Sequence, residues 1–132
     1  MNDIRVGQGM FSLFGAIFGF LFGGFDGLMY TLLAFVLIDY LTGVLVAIKD
    51  KNLNSKIGYA GLFKKVMIFL LVIIGNLIDV NIICQGATFR TAVIFFYISN
   101  EGISIIENAG NLGLPIPKKL LDVLAQLKAE EE

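Results

Sequence analysis

The stretch that decides the fold is LMYTLLAFVLIDYLTGVLVAI, residues 28–48. It contains a single charged residue, Asp39, near its middle. An α-helix needs about 20 predominantly apolar residues to cross the hydrocarbon core of a bilayer. A backbone in lipid must also satisfy its own hydrogen bonds, which a helix does. The stretch therefore predicts a membrane-spanning helix.

Three further apolar runs flank this helix and predict helices over about residues 10–25, 66–84 and 87–108. Of the whole chain, 57% is hydrophobic and 16% is charged, and the mean hydropathy is +0.82. Soluble proteins carry about 25% charged residues, so most of this surface must face lipid. The sequence predicts an all-α integral membrane protein, a bundle of three to four transmembrane helices with a short C-terminal amphipathic helix. The membrane domain is predicted to cover residues 1–114.

The C-terminal segment, residues 115–132, has a different character. Pro115 and Pro117 interrupt the fourth helix. The sequence KKLLDVLAQL then spaces its apolar residues as on one helix face, at Leu120, Val123, Leu124 and Leu127. This pattern predicts an amphipathic tail that lies on the membrane surface or against a partner.

The lysines predict the orientation of the chain. A basic loop over residues 49–65 carries Lys49, Lys51, Lys56, Lys64 and Lys65. Short loops rich in lysine stay in the cytoplasm, and the tail also carries lysines, at 118, 119 and 128. We therefore expect a multi-pass membrane protein with a cytoplasmic C-terminus. At the N-terminus Arg5 is balanced by Asp3, which leaves open whether residues 10–25 cross or lie in the interface.

The first apolar run carries a glycine at every fourth position: Gly15, Gly19, Gly23 and Gly27. On a helix this spacing produces a nearly straight strip without side chains. Because lipid provides little hydrophobic attraction between helices, such strips promote association by close backbone contact. The strip is a candidate oligomerisation face between copies of the chain. Packing against a neighbouring helix of the same chain is the alternative.

Polar residues inside the apolar runs form the candidate pore lining: Asp39, Thr42, Asn76, Asp79, Arg90, Asn100, Glu101, Ser104, Glu107 and Asn108. A charge at the bilayer centre costs at least about 2.5 kcal/mol, so these groups need partners or water. Either they meet inside one bundle and hydrogen-bond, with Arg90 pairing with Asp79, or they line a wet path when copies assemble. A proton relay through the three carboxylates Asp39, Glu101 and Glu107 is a further alternative.

Several classes of site are excluded by composition. The chain has no histidine and one cysteine, Cys84. Catalytic groups of the Ser-His-Asp or Cys-His type and metal sites of the Cys/His type are therefore absent. We predict no enzyme activity, no catalytic, cofactor-binding or metal-binding residues, no cofactor and no nucleic-acid partner.

Five motifs, taken together, resemble a known family: DYLTG (39–43), SKIGYAGLFKK (55–65), GNLID (75–79), FRTAVIFFYISNEGISIIEN (89–108) and LPIPKKL (114–120). In this order they are similar to the toxin secretion/phage lysis holin family, which includes the clostridial toxin-export holins. The resemblance covers roughly residues 30–124.

The resemblance implies a non-enzymatic pore former. Such proteins assemble with themselves in the bacterial cytoplasmic (inner) membrane and open lesions at a set time, which release a muralytic enzyme or a toxin. The implied partners are other copies of the chain and membrane lipids, with no required direct contact to the enzyme or toxin. The alternatives are a membrane scaffold that recruits a partner through its tail, and a small ion or proton channel. The sequence does not distinguish phage lysis from toxin export.

Overall fold

The computed structural model of the protein describes the backbone of residues 1–131, with side chains at all these positions except 57, 124 and 127–131. Within this part the chain forms five α-helices: α1 (Asn2–Phe22), α2 (Gly27–Lys49), α3 (Ser55–Ile78), α4 (Thr88–Asn111) and α5 (Lys118–Glu131). A π-helical turn, Asp79–Ile83, continues α3. The predicted all-α fold with a C-terminal helix is confirmed. Of the predicted tail, residue 132 and the apolar side chains at 124 and 127 lie outside the described part.

Three segments are long and apolar enough to cross a membrane: α1, α2 and the continuous Gly58–Ile83. Helix α4 has 24 residues, which is sufficient in length. It is not among the three because Arg90, Glu101 and several asparagines lower its hydropathy. The sequence predicted three to four spanning helices, and by length and composition three are confirmed.

Helices α2 and α4 run parallel and are in contact along their length. At one end Arg90 of α4 forms an ion pair with Asp26, the N-cap of α2, at 2.9 Å. At the other end the Lys49 ammonium donates to the carbonyl of Asn111. Helix α3 is antiparallel to both, since its end at Asp79 contacts the beginning of α4 at Phe89. A membrane crossing by α2 therefore brings α4 across in the same direction.

The apolar core lies between these three helices, and we refer to α2, α3 and α4 as the three-helix body. Its buried residues are Met29, Leu32, Val36, Ile68, Val72 and Ile94, together with Phe22 at the end of α1. Large apolar side chains on the outer faces, such as Leu37, Leu41 and Phe63, are more than half exposed. A surface this apolar indicates lipid rather than water as the surrounding solvent.

Helix α1 begins earlier and ends earlier than the sequence predicted. It ends at Phe22 because Gly23 and Gly24 adopt positive φ angles of 74° and 94°, which end a helix and favour glycine. Asp26 then begins α2 by accepting a hydrogen bond from the Met29 amide at 3.0 Å. The prediction of four glycines on one helix is therefore wrong: Gly15 and Gly19 lie on α1, Gly23 is its C-cap, and Gly27 begins α2.

Helix α3 begins at Ser55, 11 residues before the predicted start at residue 66. The basic loop is correspondingly shorter than predicted and covers residues 50–54. Lys56, Lys64 and Lys65 belong to α3 rather than to a loop. The reason is that SKIGYAGLFKK contains no helix-breaking proline, so the helix extends through its polar first turns.

The close approach of α3 to α4 depends on Gly75. A Cβ atom there would lie 3.2 Å from the backbone of Phe89 and Arg90, which cannot move as a flexible side chain can. Gly75→Leu is expected to destabilise the fold by about 1–3 kcal/mol through overpacking, measured as thermal unfolding in detergent by circular dichroism. Gly61→Leu is the matched control, because a Cβ at Gly61 meets nothing within 4 Å. Equal melting temperatures for the two variants would contradict this packing.

Candidate functional site

A buried ion cluster connects α2, α3 and α4 near the middle of the helices. The Lys65 ammonium from α3 lies 2.6 Å from a carboxylate oxygen of Asp39 on α2 and 2.6 Å from one of Glu101 on α4. Their side chains are 14%, 13% and 6% exposed. Asp39 lies about 18 Å along the axis from the start of α2, deep within the span. One lysine therefore neutralises part of the charge of two carboxylates, and the three groups together carry a formal charge of −1.

Asn108 and Thr42 complete the hydrogen bonding of this cluster. The Asn108 amide donates to a carboxylate oxygen of Asp39 at 3.0 Å and to the Thr42 hydroxyl at 2.9 Å. The Thr42 hydroxyl in turn donates to the carbonyl of Ile38 at 2.8 Å. Among the described residues, every buried side-chain nitrogen or oxygen has a partner. The cluster is thus internally satisfied, as buried polar groups must be.

A cavity of about 710 Å³ adjoins the cluster. It is lined by residues of α2, α3 and α4 and of the loop between α2 and α3. The polar residues that line it include Asp39, Asn52, Lys64, Lys65, Asn100, Glu101, Ser104, Glu107 and Asn108. Apolar wall residues include Val44, Ala47 and Ile68. A cavity with this many charged and hydroxyl groups is suited to water and ions rather than to lipid chains.

Most of the predicted polar residues therefore come together at this cavity. Asp39, Thr42, Glu101 and Asn108 contact one another directly or through Lys65, while Asn100, Ser104 and Glu107 line the open space. Lys65 was missed as a member of this cluster, because the sequence placed it in the basic loop. The available signal was charge balance: the apolar runs carry Asp39, Glu101 and Glu107, and their one base, Arg90, lies at the far end of the fourth run.

A separate cluster lies where α3 ends and α4 begins, and it contains Asn76, Asp79 and Arg90. The predicted pairing of the Arg90 side chain with Asp79 is wrong. The Asp79 carboxylate, which is 1% exposed, instead accepts from the backbone amides of Phe89 and Arg90 at 3.0 and 2.8 Å. These amides belong to the first turn of α4, where a helix has no intrahelical acceptors for its N–H groups. Asp79 therefore acts as the cap of α4.

The Arg90 guanidinium pairs with Asp26 through two nitrogens, at 2.9 and 3.1 Å. The hydrogen bond from Arg90 is the main cause that lowers the pKa of the Asp26 carboxyl below its ordinary value. Because the pKa is lowered in the folded state, this stabilisation is present at neutral pH and is lost as the pH falls through the lowered pKa. It is modest because half of the Asp26 side chain is exposed.

Gly15 and Gly19 of α1, and Gly27 of α2, lie against open space in the described part of the chain. A Cβ at Gly15, Gly19 or Gly27 would meet no atom within 4 Å. Packing of Gly15 and Gly19 against another helix of the same chain is therefore not observed in the described part. Of the lysines that the sequence assigned to the loop, Lys49 bonds α4, whereas Lys51, Lys56 and Lys64 are exposed.

Comparison with known proteins decides the family. Residues 16–129 match the sequence model of the bacteriophage holin family. The chain belongs to the bacteriophage holin family. This membership confirms the resemblance inferred from the motifs, and it supports a holin role for a multi-pass membrane protein.

Relatives of this chain come from bacteria and from a phage. It is 45% identical over 114 residues to an uncharacterised 14.9 kDa protein in the nagH 3′ region of Clostridium perfringens, covering 86% of each chain. It is 44% identical to an uncharacterised protein of Listeria monocytogenes, covering 84% of this chain and 79% of the relative. It is 39% identical to a probable holin of Bacillus phage phi105, covering 73% and 70%. No solved structure matches the chain significantly.

Proposed function

We propose that this holin assembles with itself in the bacterial cytoplasmic membrane and opens lesions that release a muralytic enzyme or a toxin at a set time. The observation that carries the proposal is the charged cavity between three helices whose outer faces are apolar. In a single copy, Asn100 and Ser104 line a cavity of a bundle surrounded by lipid. Each such group at membrane depth is costly unless it has partners or water.

Assembly of several copies would relieve this cost. If the cavities of neighbouring copies join, the polar stripes of α4 face a shared water-filled space and the apolar outer faces stay in lipid. The proposed lesion is lined by Asn100, Ser104 and Glu107, with Asp39, Thr42, Glu101 and Asn108 behind them. Opening then depends on protein density in the membrane, which provides the set time without a chemical step.

We propose a topology of four crossings, with α1–α4 forming the membrane domain, residues 1–114, and a cytoplasmic tail, residues 115–132. Support comes from the packing of α4 against α2, which runs parallel to it, and against α3. These two apolar helices cover the polar side of α4, so α4 can cross the membrane together with them. Both termini are then cytoplasmic, and the exposed Lys51 and Lys56 lie on the inside, as lysine-rich short loops do.

Helix α1 is the proposed contact between copies, through Gly15 and Gly19. Gly19→Leu is expected to fill the strip, to reduce crosslinked oligomers in membranes severalfold and to delay lysis. The physical reason is that close backbone contact is the main attraction between helices in lipid. Gly9→Leu is the control, since Gly9 lies roughly 80–120° around α1 from the two glycines. Unchanged oligomers and unchanged lysis timing for Gly19→Leu would refute the role.

Expression in bacteria tests the function as a whole. Cells that express the chain together with a muralytic enzyme that lacks an export signal are expected to stop growing abruptly and to release cytoplasmic protein. Cells that express either component alone are expected not to lyse. Depolarisation without passage of the enzyme would instead indicate a small ion or proton channel. Normal growth with the protein inserted in the membrane would indicate a scaffold, and either result overturns the proposal.

A further inference from the structure

Among the residues that the structure describes, helix α1 is packed against other elements only near its C-terminal end. No residue in its apolar 18-residue window is buried, and Phe22 is the buried residue of the helix. Large side chains along its length, including Phe11, Leu13 and Phe20, are more than 60% exposed. The direction of α1 relative to the three-helix body is therefore determined by its last turn and by the short connection to α2.

Two side chains of the three-helix body bind the carbonyls at this last turn. The Asn76 amide donates to the carbonyls of Phe20 and Leu21 at 3.0 and 2.9 Å. The Arg90 guanidinium donates to the carbonyls of Phe22 and, at 3.0 Å, Gly24. The last four carbonyls of a helix have no intrahelical donors, and a cation near this end is favourable for the helix dipole. The Gly23 C-cap satisfies the carbonyl of Gly19. Asn76 and Arg90 supply donors from outside the helix to the carbonyls of the last three residues of α1.

Arg90 is itself held from two directions. Its guanidinium pairs with Asp26 at the beginning of α2, and its backbone amide donates to Asp79 at the end of α3. The Arg90 side chain is only 4% exposed, whereas the Asp26 side chain is 50% exposed. Water therefore reaches the ion pair from the Asp26 side. One side chain connects the end of α1, the beginning of α2 and the first turn of α4.

The connection itself permits a change of direction. Gly23 and Gly24 both have positive φ, and only two residues separate them from α2. A Cβ at Gly23 would overlap the side chains of Asn76 and Arg90. The glycine pair is thus both a close-contact surface for these two side chains and the point about which α1 can turn.

We propose that Arg90 and Asn76 form a latch that fixes the direction of α1, and that opening of this latch lets α1 turn about Gly23 and Gly24. Its consequence for assembly rests on the proposed function, because α1 carries Gly15 and Gly19. The latch itself is a property of the single chain. Opening removes both side chains, with their three donor nitrogens, from the four carbonyls at residues 20, 21, 22 and 24. The latched and open directions of α1 are therefore two discrete states rather than a continuum.

Spin-label distances test the latch in the full chain, reconstituted in lipid vesicles with excess unlabelled protein. In a Cys84→Ser background, labels at Leu13→Cys and Leu37→Cys report the direction of α1. A second pair, Leu37→Cys with Phe96→Cys, reports the three-helix body. All three label sites are exposed. The latched chain is expected to give a single narrow distance for each pair.

Arg90→Gln and Asn76→Ala are each expected to abolish the single narrow α1 distance while the body distance stays narrow. Arg90→Lys is expected to recover it only in part, because an ammonium cannot form the paired contacts of a guanidinium. Arg5→Gln, which removes an exposed cation of α1, is the control and should change neither distance. A narrow α1 distance in both Arg90→Gln and Asn76→Ala overturns the latch. Broadening of the body distance overturns it too, since Arg90 would then stabilise the whole fold.

The outcome is independent of pore formation. If the proposed function fails, the unsubstituted chain does not permeabilise membranes, and the distances still decide the latch. If the latch fails, the distances stay unchanged in variants that permeabilise normally. Within the proposed function, opening the latch is expected to shift the onset of lysis to an earlier time in Arg90→Gln than in Arg5→Gln.

Discussion

Lys65→Met is expected to destabilise the protein more than any other single substitution in the three-helix body. It leaves the Asp39 and Glu101 carboxylates, which both now contact the Lys65 ammonium at 2.6 Å, facing each other without a cation. Removing one partner of a buried ion pair costs about 3–5 kcal/mol. We expect about 3 kcal/mol here, because the three side chains keep some exposure. The measurement is reversible unfolding in detergent followed by circular dichroism.

Charge balance provides the matched test for this cluster. Adding Glu101→Gln to Lys65→Met removes the repulsion between the carboxylates and is expected to recover a large part of the lost stability. Adding Asp39→Asn as well leaves no formal charge and should recover more. Lys64→Met is the control, because the neighbouring Lys64 is exposed and forms no ion pair among the described residues. Equal stability of Lys65→Met and Lys64→Met would contradict the role of Lys65.

Asp79→Ala is expected to have the second-largest effect among losses of a polar side chain. It removes the acceptor for two amides in the first turn of α4 and leaves them in an apolar environment. The loss of a helix cap together with unsatisfied donors costs about 2 kcal/mol. Thermal unfolding in detergent measures the effect.

Two comparisons make the Asp79 experiment specific. Asp79→Asn keeps one acceptor oxygen and should fall between Asp79→Ala and the unsubstituted chain. Asp3→Ala removes an exposed carboxylate of α1 and should leave the melting temperature unchanged. If Asp79→Ala and Asp3→Ala melt together, Asp79 is not the cap of α4.

The helical architecture could be predicted from the sequence because it depends on run length and hydropathy, which are local properties. The meeting of Asp39, Thr42, Glu101 and Asn108 could also be anticipated, since polar groups in lipid must find one another. The sequence did not reveal which helices would be adjacent. The parallel contact of α2 with α4 is what brings Asp39 to Asn108.

The errors at the site have specific causes. Lys65 was assigned to a loop because positive charge is usually a sign of the cytoplasmic surface, yet the helix extends back to Ser55 and turns Lys65 inward. Arg90 was expected to pair with Asp79 because the sequence predicts both near the same membrane surface, on either side of the outer turn. The Asp79 carboxylate instead accepts hydrogen bonds from backbone amides of α4. The Arg90 guanidinium donates to Asp26 and to a carbonyl of α1. Gly23 was predicted to belong to the glycine strip because the spacing of the glycines does not reveal a φ angle. Its positive φ, which ends α1, is a property of the folded turn.

Release of size-graded dextrans from lipid vesicles that contain the purified protein is the most direct test that copies of this chain assemble into lesions. If copies assemble into lesions, no dextran is released at a low protein-to-lipid ratio. Above a threshold density, small and large dextrans are released together. Retention of all dextrans at every density, with the protein inserted, would contradict the account. Passage of ions alone would contradict it as well.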